Sequence, residues 1–129
     1  MAKNARPSPG SEQTAVTVER ASRLYRLLQL LAAAASNRAT LMRRLKLDVR
    51  GFYRDLELLR ASGIVIEVQA RRYRLITALR DALIRLPLPD PRLTIGEAWI
   101  LARGRSPAHR KLRDHLGRIS ETKSSLRGR

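Results

Sequence analysis

A mainly helical chain with one small β-hairpin is what the sequence predicts, and three observations carry that expectation. Leucines recur at helical spacing from Leu24 to Leu59. After Gly63 the apolar period drops to two, as in a strand. Residues that cap helices stand where the helical periods begin, at Asp48, Thr94 and Ser106-Pro107. The 129 residues leave room for one domain and flanking arms.

Residues 1–15 hold two prolines, a glycine and no apolar period, and read as a disordered basic arm. Over 16–35, Leu24, Leu27, Leu28 and Leu31 form one face, and Arg20, Arg23 and Arg26 lie on the other. Thr17 is placed to cap this helix, the alanines at 32–35 sustain it, and Ser36-Asn37 ends it. A short helix of about 40–45 turns Leu41, Met42 and Leu45 inward. Leu47-Asp48 then makes a tight turn, and Asp48 caps a third helix over 49–61. Phe52, Leu56 and Leu59 give that helix a narrow apolar stripe, and Gly63 closes it in the left-handed conformation.

The hairpin follows. Ile64, Ile66 and Val68 alternate with Val65, Glu67 and Gln69, Ala70-Arg71-Arg72 turn, and Tyr73 to Leu75 return. The turn lacks an Asn-Gly or Asp-Gly pair, so its type stays open. Residues 77–93 form a proline-containing connection. Within it Leu79, Ala82, Leu83 and Leu86 suit two helical turns, which Pro87, Pro89 and Pro91 end. Residues 94–121 read as a helical pair: Thr94 and Glu97 are spaced as a capping box, Gly104 closes the first helix, and Ser106-Pro107 opens the second. Residues 122–129 read as a basic tail.

Charge and composition narrow the function classes. Twenty-seven basic residues against eleven acidic ones give a net charge of +16, which favours phosphate-rich polymers, anionic surfaces or an acidic protein. Residues 36–75 carry ten basic and four acidic side chains, 100–129 nine and two, and 76–99 three of each. The strong bias to arginine over lysine, 23 to 4, also fits a GC-rich genome, which does not account for the shortage of acids. Without cysteine there is no disulfide framework, thiolate metal site or cysteine nucleophile. The longest apolar run, about 27–35, is interrupted by Gln29 and is too short to span a membrane. No apolar stretch follows Lys3 and Arg6 as in a secretory signal, so a cytoplasmic location is expected.

Three helices and a hairpin in this order over 16–76 match a winged helix-turn-helix. Tyr53-Arg54-Asp55-Leu56, Gly63-Ile64 and Arg72-Tyr73-Arg74-Leu75 stand at the spacing seen in one group of such proteins. On these residues the region of about 18–76 resembles the DeoR-like and WYL-associated transcriptional regulators. The resemblance implies sequence-specific binding of double-stranded DNA in the nucleoid. Helix 49–61 would enter the major groove, and the wing, 64–75, would lie on the backbone or minor groove. Leu93 to Trp99 resembles the segment that joins wing to sensor in those regulators. The chain ends before a sensing domain, so the DNA-binding half alone is expected, with no cofactor and no small-molecule site. Asp48 stands where the family has a serine cap. Gly51 stands where it has a DNA-facing threonine, which leaves close backbone approach and loss of base readout both open.

Arg50, Tyr53 and Arg54 lie off the apolar stripe and are the candidate groove residues, since arginine can grip guanine O6 and N7 together. Arg54 suits a phosphate better than a base. The plainer alternative is a solvated face with local Arg54–Asp55 or Arg50–Glu57 pairing. Arg71 and Arg72 at the wing tip suit the backbone or minor groove, or else guard an edge strand. Arg43, Arg44 and Lys46 border the turn and suit phosphates, or are simply solvated. Asp55 and Glu57 point apart on a helix, so they make no acid–base pair, and Asp55 is expected to orient a basic neighbour. His109 and His115, six apart, do not share a face as metal ligands would. With no nucleophile–base pair and no phosphate-cradling glycine loop, an enzyme is not expected. Ile95, Ala98, Trp99 and Ala102, widened by Ile100 and Leu101, suit a homodimer contact or packing back on the wing. The alternative to specific regulation is a non-specific nucleic-acid-binding module or a protein-interaction adaptor.

Overall fold

Thr17 begins the first helix. Its Oγ1 accepts from the Arg20 amide at 3.1 Å, and α1 runs Val18–Ala33. The structure, a computed structural model, describes residues 16–127, with side chains as far as residue 120. Leu24, Leu27, Leu28 and Leu31 are the buried face of α1. The helix stops at Ala33 rather than running through the alanines to 35. Ala34 is already extended, because Ser36–Asn37 forms a strand, β1, that the periodicity does not announce.

Asn37 ends β1 and caps the next helix, its side chain accepting from the Thr40 amide at 2.8 Å. Helix α2 therefore spans Arg38–Leu45, starting two residues before the expected position. Lys46 closes it in the left-handed conformation, φ 56°, and Leu47 N–H returns to the Met42 carbonyl. Asp48 caps α3, Val49–Ala61, by accepting from the Gly51 amide at 2.7 Å. Gly63 follows with φ 85°, and Ile64 N–H closes on the Leu59 carbonyl.

Strands β2, Ile66–Gln69, and β3, Arg72–Leu75, form the hairpin. Gln69 pairs with Arg72, so two residues make the loop. Ala70 and Arg71 have φ of 53° and 64°, the left-handed pair of a type I′ turn without the usual Asn-Gly. Such a conformation costs a non-glycine residue about 1 kcal/mol. β1 joins the other side of β3, Ser36 opposite Tyr73 and Asn37 opposite Arg72. The sheet is thus antiparallel with three strands in the order β1-β3-β2, one strand more than the hairpin expected.

The first compact unit extends to Asp90, past the boundary expected at 76. Helix α4, Leu79–Leu83, buries Ala82 completely and lays Leu79 and Leu83 on the core, with Leu86 beyond it. This apolar period ties the front of the connection to the core, while Arg80, Asp81 and Ile84 stay exposed. Phe52, Leu56, Leu58, Leu59, Ile64, Ile66 and Tyr73 complete the core against the α1 leucines.

The second unit, from Pro91 onward, is two helices. Thr94 and Glu97 form the expected capping box at the start of α5, Ile95–Leu101. Helix α6 runs Pro107–Arg127, into residues read as tail. Ser106 caps it through the His109 amide, and His109 Nδ1 lies 2.7 Å from Ser106 Oγ. Arg113 Nη1 donates to the Ala102 and Gly104 carbonyls at 2.6 and 2.5 Å, which closes the end of α5. Among the described residues the core here is Ala98, Ala102 and Leu116, with Leu112 against them. No described helix is long and apolar enough to cross a membrane.

Candidate nucleic-acid interface

The outer face of α3 is built from what its inner face excludes. Phe52, Leu56, Leu58 and Leu59 are buried, and so is Asp55, only 1% exposed. Arg50, Tyr53, Arg54 and Glu57 are left outward. A buried carboxylate needs partners, and α1 supplies two. Arg20 Nε donates to Asp55 Oδ1 at 2.9 Å, and Arg23 Nε and Nη2 donate to Oδ2 and Oδ1 at 2.7 and 3.1 Å. Arg20 Nη2 also donates to the Arg54 carbonyl at 3.2 Å. The Asp55 hydrogen bond raises the Arg23 pKa further above its ordinary value. Arg20 and Arg23, read from the sequence only as lying opposite the α1 leucines, thus face a buried carboxylate. Asp55 does orient basic neighbours, and they are Arg20 and Arg23 rather than Arg54, because the inner face of α3 turns the carboxylate toward α1.

Every cation among the nine candidate residues is exposed. Arg43 and Arg44 lie on α2, Lys46 at its end, Arg50 and Arg54 on α3, and Arg71 and Arg72 at the hairpin tip. Among the described residues none of the seven makes an ion pair; the pairs are Arg20 and Arg23 with Asp55, and Arg74 with Glu67 across the hairpin. Gly51 differs. A Cβ there would lie 3.0 Å from Asp48 Oδ1 and 3.1 Å from Leu47 Cδ2. Its missing side chain thus makes room for the turn and its cap, and offers no group to the outer face.

Tyr53 joins the helix to the hairpin. It is 43% exposed, its ring stands edge-on to Phe52, and Phe52 in turn meets Tyr73 edge-on. Arg38 Nη1 donates to Tyr53 Oη at 2.9 Å, and the guanidinium carbon lies 5.8 Å from the ring centroid. The Arg38 hydrogen bond, helped by one from Tyr73, holds the Tyr53 phenol below its ordinary pKa of 10. Burial pushes Tyr73 the other way. A cleft of about 620 Å³ opens here, lined by Arg38, Tyr53, Arg71 and Arg72 among others. Of the candidate residues, Tyr53, Arg71 and Arg72 meet in it, while Arg43, Arg44, Lys46, Arg50 and Arg54 lie elsewhere.

Arg38 escaped the sequence reading. The signal that could have found it is Asn37, whose capping pattern starts the helix at 38 and sets Arg38 beside the strand. Among the described residues no three His, Asp or Glu side chains gather as a metal site. Comparisons with family models, curated proteins and solved structures found no match to this chain.

Proposed function

We propose that the first unit is a winged helix-turn-helix that binds double-stranded DNA, and that the protein is a sequence-specific transcriptional regulator of the DeoR-like, WYL-associated kind acting in the nucleoid. In this reading α2, the turn and α3 are the helix-turn-helix. Helix α3 enters the major groove and the hairpin follows the backbone or minor groove.

One observation carries the reading: the outward face of α3 keeps Arg50, Tyr53 and Arg54 exposed, while its Asp55 is turned inward and neutralised by α1. A face that turns one of its two acids inward, leaving Glu57, and keeps Arg50 and Arg54 out of ion pairs among the described residues suits a polyanion. Arg50 is the base-reading candidate. Arg43, Arg44, Lys46 and Arg54 serve phosphates, and Arg71 and Arg72 the wing contact. Gly51, packed against the Leu47-Asp48 turn, brings no side chain to base reading. The second unit pairs two copies through the exposed Ile95, Trp99, Ile100 and Leu101 of α5, so a two-fold operator is expected.

The test is selection of bound fragments from genomic DNA by the full chain, at low and at physiological salt. A short inverted repeat that persists at higher salt, and that Arg50→Ala relaxes at one position by roughly 1–3 kcal/mol, supports the reading. Uniform enrichment that collapses with salt replaces it with phosphate-driven, non-specific binding.

A further inference from the structure

The cleft between α3, β1 and the hairpin is larger and chemically more selective than a groove-facing surface requires. Its polar lining is made of donors. Arg38, Arg71 and Arg72 present guanidinium groups, and no carboxylate lines it. Asn37, also in the lining, spends its side-chain carbonyl on the Thr40 amide, so its amide hydrogens remain to donate. Arg38 is held by Tyr53 through one Nη, which leaves further donors of its planar fork to a ligand. The rest of the lining includes apolar or aromatic groups that are exposed: Val68 and Ala70 of the hairpin and the ring of Tyr53 on α3. At about 620 Å³ the space far exceeds a single phosphate and falls in the range of small-ligand pockets, about 300–1,000 Å³.

We infer that this cleft is a binding site for a mononucleotide-sized phosphate ester. Arg38, Arg71 and Arg72 hold its phosphate, and the Tyr53 ring and Val68 take an attached planar base. A guanidinium meets phosphate oxygens with paired, charge-assisted hydrogen bonds, and an aromatic ring stacks a base without regard to its identity. If the DNA reading above holds, such a ligand and a DNA duplex compete for Tyr53, Arg71 and Arg72, and the occupied cleft opposes DNA binding. That second clause rests on the proposed function; the site itself does not.

The experiment titrates the full chain with adenosine monophosphate, and separately with inorganic phosphate, following backbone and arginine side-chain NMR signals. Expected is saturable binding of the nucleotide, at least tenfold tighter than inorganic phosphate, with shifts concentrated at Arg38, Tyr53, Val68 and residues 70–73. Arg38→Gln and, independently, Arg71→Gln weaken it about tenfold or more, while Arg80→Gln, on the exposed side of α4, leaves it unchanged. Unsaturable shifts spread over all the basic residues, equal losses in all three variants, or no preference over inorganic phosphate overturn the site. A DNA titration in parallel separates the two readings. Nucleotide binding without affinity for any duplex keeps the site and removes the DNA reading. Duplex binding without nucleotide binding does the reverse.

Discussion

The two units of this protein hold themselves together by different means. The first buries a continuous core that runs from the α1 leucines through Phe52 to Ile66, and sets a carboxylate between two arginines at its edge. Among its described residues the second buries two alanines and one leucine, and its ends are fastened by the Thr94 capping box, the Ser106–His109 cap and Arg113 on the carbonyls just past α5. Meanwhile Ile95, Ile100 and Leu101 are more than half exposed, and Trp99 is 40% exposed. Side-chain burial stabilises the first unit. Backbone capping, worth about 0.5–2 kcal/mol per cap, adds to the small described core of the second. A region so supplied keeps its apolar side chains available to another surface.

Substitutions of similar size sharpen the contrast. Leu28→Ala, at a fully buried position, is expected to lower stability by about 3–4 kcal/mol in urea denaturation. Next in size is Asp55→Ala, at roughly 2–3 kcal/mol. That is below the 3–5 of a fully buried pair, because Arg20 and Arg23 keep 19% and 29% of their side-chain surface in water. A loss above 4 kcal/mol would mean that the two arginines cannot rehydrate. Ala70→Asn relieves one left-handed residue without touching Arg71, and should raise the unfolding free energy by about 0.5–1 kcal/mol, read in urea denaturation. Ile100→Ser should change monomer stability by less than about 0.5 kcal/mol. A large loss there would break the comparison by showing that α5 packs its outer face after all. Smallest in free energy, yet distinct in readout, is the tyrosine titration. Tyr53 should ionise below the ordinary phenol range and Tyr73 above it, and Arg38→Gln should return Tyr53 toward pH 10 in an ultraviolet titration. Because the folded pKa of Tyr53 is lowered, this bond adds stability above the unfolded pKa and loses it as pH falls through the folded one.

Much of this was legible because it is local. Thr17, Asp48, Gly63 and Thr94 each act on amides or carbonyls a few residues away, so spacing alone finds them. The leucine period likewise marks the buried face of α1. Contacts that join distant segments left no such trace. Asp55 meets arginines 35 and 32 positions earlier, and an arginine on a helix looks the same whether it faces water or a carboxylate. Strand β1 pairs through backbone groups that any residue has. The type I′ turn uses Ala70 and Arg71, neither of which advertises a positive φ. The candidate site was half visible for the same reason: its exposed cations follow from periodicity, while the cleft depends on β1 bringing Arg38 to the hairpin.

The clasp of Arg20 and Arg23 on Asp55 also bears on how such a protein can change over generations. It fastens α3 from behind, through one carboxylate and one backbone carbonyl. None of Arg50, Tyr53 or Glu57 takes part through its side chain. Arg50 and Glu57 can therefore change without loosening the clasp, whereas a change at Asp55 reaches both helices at once. The fastening of α3 and the make-up of its outer face are thus set by different side chains of a single helix.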